Sequence, residues 1–237
     1  MSYSRDEIKL KANDALNNPA TLYAQPFVNY KGGVNGERYT EIVAREISRR
    51  VKSDNLAAFR HGIKMITREE SYKTASHFEL AKQERPAGSN RGEEWIAKEM
   101  FGKSFDYIGE VIDFQIPLNN TSNDGAGKID LLSYNISENT AYILELKKPA
   151  SEETLLRCVL EVFTYWKIVD KEKLMRDFDI VGAELRKAVL VYENSVAYKD
   201  FQDDECEAVY TLMCDKLHVD LFVLGSGGER VIDGYRH

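Results

Sequence analysis

Two apolar runs, KIDLLSYN at 128–135 and AYILELKK at 141–148, stand either side of a short polar break. Together they restrict the fold more than any other feature of the chain. Runs of this length, rich in Ile, Leu and Tyr and bounded by turn residues, read as two antiparallel strands joined by a hairpin. The second run is apolar at consecutive positions, as in a central strand covered on both faces. It breaks that pattern at Glu145 and Lys147, which are two positions apart and therefore share a face. If the hairpin centres on Ser137–Glu138, Asp130 falls opposite Glu145, and cross-strand neighbours of this kind have Cβ atoms about 5 Å apart. A turn shifted by one residue would send Asp130 to the other face.

The segments around the hairpin predict an α/β fold with a mixed central sheet flanked by helices. RGEEWIAKEMFG reads as a helix starting near Asn90 and ending at Gly102, YIGEVIDFQIPL as a strand and NNTSNDGAG as a loop. After the hairpin, SEETLLRCVLEVFTYWKIVDKEKL reads as one long helix, with Ser151 as its N-cap and Glu152–Glu153 at its positive end. KAVLVYEN is then a strand, DDECEAVYTLMCDKLH a helix and VDLFVLG the last strand, with GSGGER as a terminal turn. Too few residues follow that turn for the helix a phosphate-binding loop requires. The order is not that of a doubly wound nucleotide fold. Upstream, residues 1–36 are punctuated by Pro, Asn and Gly, 37–52 read as a helix, 55–80 as mostly helical and KQERPAGSN as a linker. The chain of 237 residues thus divides into a mainly helical accessory region, 1–88, and a core, 89–237.

Two carboxylates placed as Asp130 and Glu145 would repel one another, and each would resist ionisation unless a positive charge lay between them. A divalent cation supplies that charge. Mg²⁺ takes oxygen ligands, typically one or two carboxylates with water and phosphate completing the octahedron, and the Leu146 carbonyl is a further candidate ligand. Lys147 would face the attacking water and the phosphate. The combination suits metal-assisted phosphodiester hydrolysis.

Asp130 followed on the next strand by Glu145-Leu146-Lys147, with a Glu-bearing helix before and a helix after, resembles the PD-(D/E)XK nuclease superfamily. ELKKP in particular is similar to nuclease domains of restriction enzymes. The resemblance covers roughly Asn90 to the C-terminus and leaves 1–88 unexplained. It implies a restriction-endonuclease-like core, with Asp130 and Glu145 as ligands of Mg²⁺ (Mn²⁺ substituting) and Lys147 activating water. It also implies an upstream helical carboxylate, Glu93 or Glu94, of which Glu93 shares a face with Ile96, Ala97 and Met100. Members often carry a Gln-x-x-x-Tyr pair on the following helix. Here Glu161 and Tyr165 have that spacing, with Arg157 one turn earlier, and a plain Arg–Glu surface pair beside a partly buried Tyr is the alternative. The expected activity is hydrolysis of nucleic acid, DNA foremost, leaving a 5′-phosphate and a 3′-hydroxyl, in a restriction, defence or repair setting. Homodimers are frequent among such enzymes.

Charge is distributed unevenly. The formal net charge is −7, yet Lys31 to Lys73 hold ten Lys and Arg against six Asp and Glu. On a helix, Arg38, Arg45, Arg49 and Lys52 fall within roughly 60° of one another, opposite Tyr39, Val43, Ile47 and Val51. This is either the solvated face of an amphipathic helix or a phosphate-contacting stripe. Lys148 is a further candidate phosphate contact, and Trp95 either stacks on a base or packs its helix on the sheet. His61, His77, His218 and His237 make no ligand spacing. Three cysteines without a close pair, no apolar leader and no run of ~18 apolar residues predict reduced thiols, a cytoplasmic location and no membrane partner. Two other functions fit the same residues. One is a catalytically inactive nucleic-acid-binding or assembly module of the same fold. The other is a metal-free hydrolase using Asp130 and Glu145 as an acid–base pair.

Overall fold

The computed structural model describes residues 3–52, 59, 62–74, 76–83, 92–119, 127–228 and 230–236. Helix α1 (Arg5–Ala15) begins at a capping box in which Ser4 accepts from the Glu7 N–H and Glu7 accepts from the Ser4 N–H. β1 (Gly33–Val34) and β2 (Glu37–Arg38) form a small hairpin around Asn35 and Gly36, whose φ values of 52° and 78° suit a two-residue turn of positive φ. The hairpin leads directly into α2 (Tyr39–Lys52). α3 (Ser76–Ala81) and α4 (Gly92–Met100) precede the main sheet.

That sheet has seven strands in the spatial order of the chain: β3 (Ser104–Phe105), β4 (Gly109–Pro117), β5 (Lys128–Asn135), β6 (Thr140–Leu146), β7 (Glu184–Tyr192), β8 (Asp220–Leu224) and β9 (Val231–Tyr235). β3 to β6 pair antiparallel, β6, β7 and β8 run parallel, and β9 returns antiparallel on β8. The parallel crossovers pass through α5 (Leu155–Ile168) and α6 (Lys171–Asp177), and then through α7 (Val196–Phe201) and α8 (Glu207–Thr211), which continues as a π-helical turn over Leu212–Leu217. Helices cover both faces, so every residue of β6 is buried. Ala141 and Ile143 pack with Val159 and Phe163 of α5, whereas Tyr142, Leu144 and Leu146 pack with Ala97 and Met100 of α4.

Several expected boundaries move. The long helix after β6 starts at Leu155, because Thr154, not Ser151, caps it by accepting from the Arg157 N–H. Glu152 and Glu153 therefore precede the helix. The helix also breaks at Val169, which is extended, and Asp170 caps α6 by accepting from the Lys173 N–H. GSGGER is not a terminal turn but the link between β8 and a further strand, β9, which the sequence reading lacked. Residues 1–36 contain α1. Of 55–80, the described residues 62–74 are irregular, whereas Phe59 and the residues from Ser76 onward are helical. Most of the KQERPAGSN linker, and 120–126 of the NNTSNDGAG loop, lie outside the described residues.

The N-terminal elements share the apolar core of the sheet. Ile8 of α1, Phe27, Val28, and Ile42 and Ile47 of α2 belong to the same buried cluster as Val159 and Phe163. A polar contact reinforces this junction: the buried Glu41 carboxylate of α2 accepts from the Ala208 and Val209 N–H groups, each at 2.9 Å, at the start of α8. Removing a buried charged acceptor leaves two donors without partners. Glu41→Ala is expected to lower unfolding free energy by about 2 kcal/mol. Arg176→Ala, which removes an exposed pair with Glu172, should cost under ~0.5 kcal/mol. Urea unfolding of both variants checks the contrast, and equal losses would refute it.

Candidate active site

The β5–β6 pairing matches Leu131 with Leu144 and Asn135 with Thr140, the register of a turn centred on Ser137–Glu138. Asn135 fixes that turn, its Oδ1 accepting from the Ser137 N–H, the Ser137 hydroxyl and the Glu138 N–H. One pair further along, Asp130 faces Glu145. The Leu146 N–H donates to Asp130 Oδ2 at 3.0 Å, which keeps the Leu146 peptide against that carboxylate. On the other side, Gln115 Nε2 donates to Asp130 Oδ1 at 2.8 Å. Gln115 has φ 49° inside β4, two residues beyond a register shift between Val111 and Asp113. Positive φ at a non-glycine strand residue is an uncommon backbone state of the kind that collects at functional sites. The sequence reading did not single out Gln115. Only its cross-strand position beside Asp130 reveals it.

Lys147 lies in a carboxylate nest. Its Nζ is 2.6 Å from Glu145 Oε1, 2.8 Å from Glu153 Oε2 and 3.5 Å from Glu161 Oε2. Burial disfavours the ammonium, but the charges of Glu145, Glu161 and Glu153 outweigh it and hold the Lys147 pKa above its ordinary value. Glu161 also accepts from the Tyr165 hydroxyl at 3.0 Å, and Tyr165 meets Tyr23 edge-on at 5.6 Å. Glu161 and Tyr165 thus belong to the site. Arg157 pairs with Glu153 at 3.4 Å, so the alternative of an Arg157–Glu161 surface pair does not hold. Gly127, at φ 82°, lies so close that a Cβ there would be 2.7 Å from the Tyr165 ring, so glycine is required. Glu153 and Tyr23 were not anticipated as site residues.

Glu93 meets the same strand end, its Oε1 accepting from the Lys148 N–H at 3.3 Å, and its charge is felt at Asp130. Glu94 occupies the next position of α4, half-buried. The Lys148 side chain is exposed. Trp95 is buried, with the Lys98 ammonium 3.7 Å from its ring, so it packs rather than offering a face to a base.

The arginines of the basic stripe have carboxylate partners within the chain. Arg38 belongs to β2, not to the helix, and pairs with Asp200 at 3.0 Å and with Asp203. Arg45 pairs with Glu37 and, at 3.3 Å, with Glu41, and Arg49 pairs with Glu46 at 2.7 Å. The side chain of Lys52 lies outside the described residues. Arg45 and Arg49 form the ion-paired outer face of α2, opposite the buried Tyr39, Val43 and Ile47.

Negative charge exceeds positive at the site: Asp130, Glu145, Glu153 and Glu161 surround Lys147 and Arg157. Burial, then the Asp130 charge, pushes the Glu145 pKa up, and burial pushes Asp130 up to about 6. Among the described residues, the buried Glu145 Oε2 has no hydrogen-bond partner. A carboxylate oxygen so placed, beside a second carboxylate and a peptide, suits one hard divalent cation with Asp130, Glu145 and the Leu146 carbonyl as protein ligands. Among the described residues no group of three or more His, Cys, Asp or Glu side chains could hold a metal. Two carboxylates and a carbonyl are oxygen donors of the kind Mg²⁺ or Mn²⁺ takes, with water completing the shell, and they include none of the nitrogen or sulfur ligands typical of a structural zinc. All three cysteines are free and buried.

Because the folded-state pKa of Asp130 lies above its ordinary value, the metal-free folded protein holds this proton more tightly than the unfolded chain. That contribution is full below about pH 4 and is lost as pH rises through about 6. Thermal unfolding in EDTA should show wild type losing roughly 2 kcal/mol relative to Asp130→Asn between about pH 4.5 and 7.5. Parallel curves would refute it. Among the described residues no helix is long and apolar enough to cross a membrane. No family model, curated protein or solved structure matches the chain, so the functional reading rests on the site itself.

Proposed function

We propose that the chain is a PD-(D/E)XK nuclease whose sheet is of the restriction-endonuclease-like kind, a divalent-cation-dependent phosphodiester hydrolase acting on DNA. What carries this reading is one buried carboxylate oxygen, Glu145 Oε2, which has no partner among the described residues and stands beside Asp130 and Lys147 at the end of a central strand. Leaving a buried charged acceptor unpaired is costly, so an oxygen in this position is suited to a cation. The element order also supports it, with a Glu-bearing helix, three antiparallel strands, a crossover helix and a parallel strand.

Asp130, Glu145 and the Leu146 carbonyl would hold the cation, which when bound stabilises phosphate charge and raises the acidity of water. The chain's own groups do the rest. Gln115 and the Leu146 N–H fix both oxygens of Asp130, so that carboxylate is oriented before substrate arrives. Lys147 presents a charged ammonium where negative charge develops on a phosphate. Glu93 holds the Lys148 peptide and adds negative charge on the α4 side of the site. Because Arg38, Arg45 and Arg49 already have carboxylate partners, this reading relies on no phosphate grip from them.

Purified protein incubated with supercoiled DNA, single-stranded DNA and RNA, in Mg²⁺, Mn²⁺ or EDTA, tests the reading. Cleavage should require the cation, and Asp130→Ala, Glu145→Ala and Lys147→Ala should each lower it by at least ~100-fold. Cleavage that persists in both Asp130→Ala and Lys147→Ala would refute the mechanism. DNA binding without cleavage, independent of cation and of Lys147, would identify an inactive module.

A further inference from the structure

Lys147 has more carboxylate partners than the proposed chemistry uses. An ammonium carries three N–H donors, and here three carboxylates lie within 3.5 Å of it. One of them, Glu145, is also a candidate cation ligand. The other two, Glu153 and Glu161, are not.

Glu153 reaches Lys147 only because the chain doubles back between β6 and α5. Ala150 takes φ 52°, and its N–H donates to Asn194 Oδ1 at 3.0 Å. The Ser151 N–H donates to the Lys148 carbonyl at 3.1 Å, and the Ser151 carbonyl accepts from the Val196 N–H at 2.9 Å. Thr154 is pinned by Asn29 Oδ1 on its N–H at 2.8 Å and by the Val28 carbonyl on its hydroxyl at 2.7 Å. Arg157 stands behind Glu153, with Nε 3.4 Å from Oε1. A surface Arg–Glu pair one helical turn apart needs none of this bracing and contributes little.

We propose that Glu153, backed by Arg157, is a positioning residue: with Glu161 it forms a cradle that keeps the Lys147 ammonium at the site when Glu145 turns its carboxylate to a divalent cation. This rests on the reading of Asp130 and Glu145 as cation ligands. Without the cradle, ammonium and cation would compete for Glu145. Lys147 would then grip Glu145 and oppose cation binding, or leave the site. With it, the ammonium passes from three carboxylates to two while remaining beside the phosphate position.

Titration of the nucleic-acid-free protein with Mg²⁺ and Mn²⁺ by calorimetry tests this with no dependence on turnover. Glu153→Gln should weaken cation binding on the order of tenfold in the native background and under about twofold in a Lys147→Met background, because the two residues are coupled. Arg157→Met, which loosens Glu153 without removing its charge, should weaken binding about threefold, again only where Lys147 is present. It carries the test if Glu153→Gln fails to fold. Equal weakening in both backgrounds would mean that Glu153 acts only through its charge and would overturn the cradle, as would no weakening. Absence of cation binding by the wild-type protein would overturn the nuclease reading along with it.

Discussion

The pairing of β5 with β6 decides which side chains meet at the end of the sheet. Because side chains alternate along a strand, a slip of one residue would turn Asp130 away from Glu145 and exchange apolar for polar positions on both faces. The register resists such a slip for two reasons. Asn135 ties the turn to itself through three donors, and β6 is covered on both faces, so no alternative pairing keeps Ile143 and Leu144 each in its own cluster. The site is therefore a consequence of core packing: the forces that bury the middle of β6 also set the charges at its end.

Those charges are held at a cost. Asp130 and Glu145 are pushed toward protonation by burial, and the same burial works against the Lys147 ammonium. Breaking one member of such a group leaves the others buried without compensation. Gln115, in an uncommon backbone state within β4, is spent on orienting one carboxylate oxygen. An arrangement selected only for stability would replace these groups with apolar side chains of similar size. Strain and charge instead gather within a few residues of one strand end, as expected where local consistency gives way to function.

The hairpin was legible because its signals are local: two apolar runs, a symmetric polar break, and Glu145 and Lys147 at a spacing that depends only on the pleat. The partners of the arginines were not, since Arg38 finds Asp200 and Asp203 more than 160 residues away in the chain. An exposed stripe on a helical wheel says nothing of what the fold lays across it. The sequence places Glu153 in a helix that begins two residues after it, because the Asn29 side-chain oxygen and the Val28 carbonyl anchor Thr154 and so move the cap. The break at Val169 has the same origin, tertiary contacts overriding a continuous helical pattern. β9 is short, contains Gly234, and is specified by its edge pairing with β8 and not by its own composition.

Thr154 and Tyr165 have one further consequence. Thr154 caps the helix that carries Glu161, Tyr165 stands on that helix, and both are met from the N-terminal side: Thr154 by Val28 and Asn29, Tyr165 by Tyr23. The N-terminal segment therefore forms the rear wall of the carboxylate–lysine cluster. The stretch that carries the cluster and the stretch that keeps the cluster in shape are not the same length of chain, and trimming the protein to the first would remove the wall along with the arm.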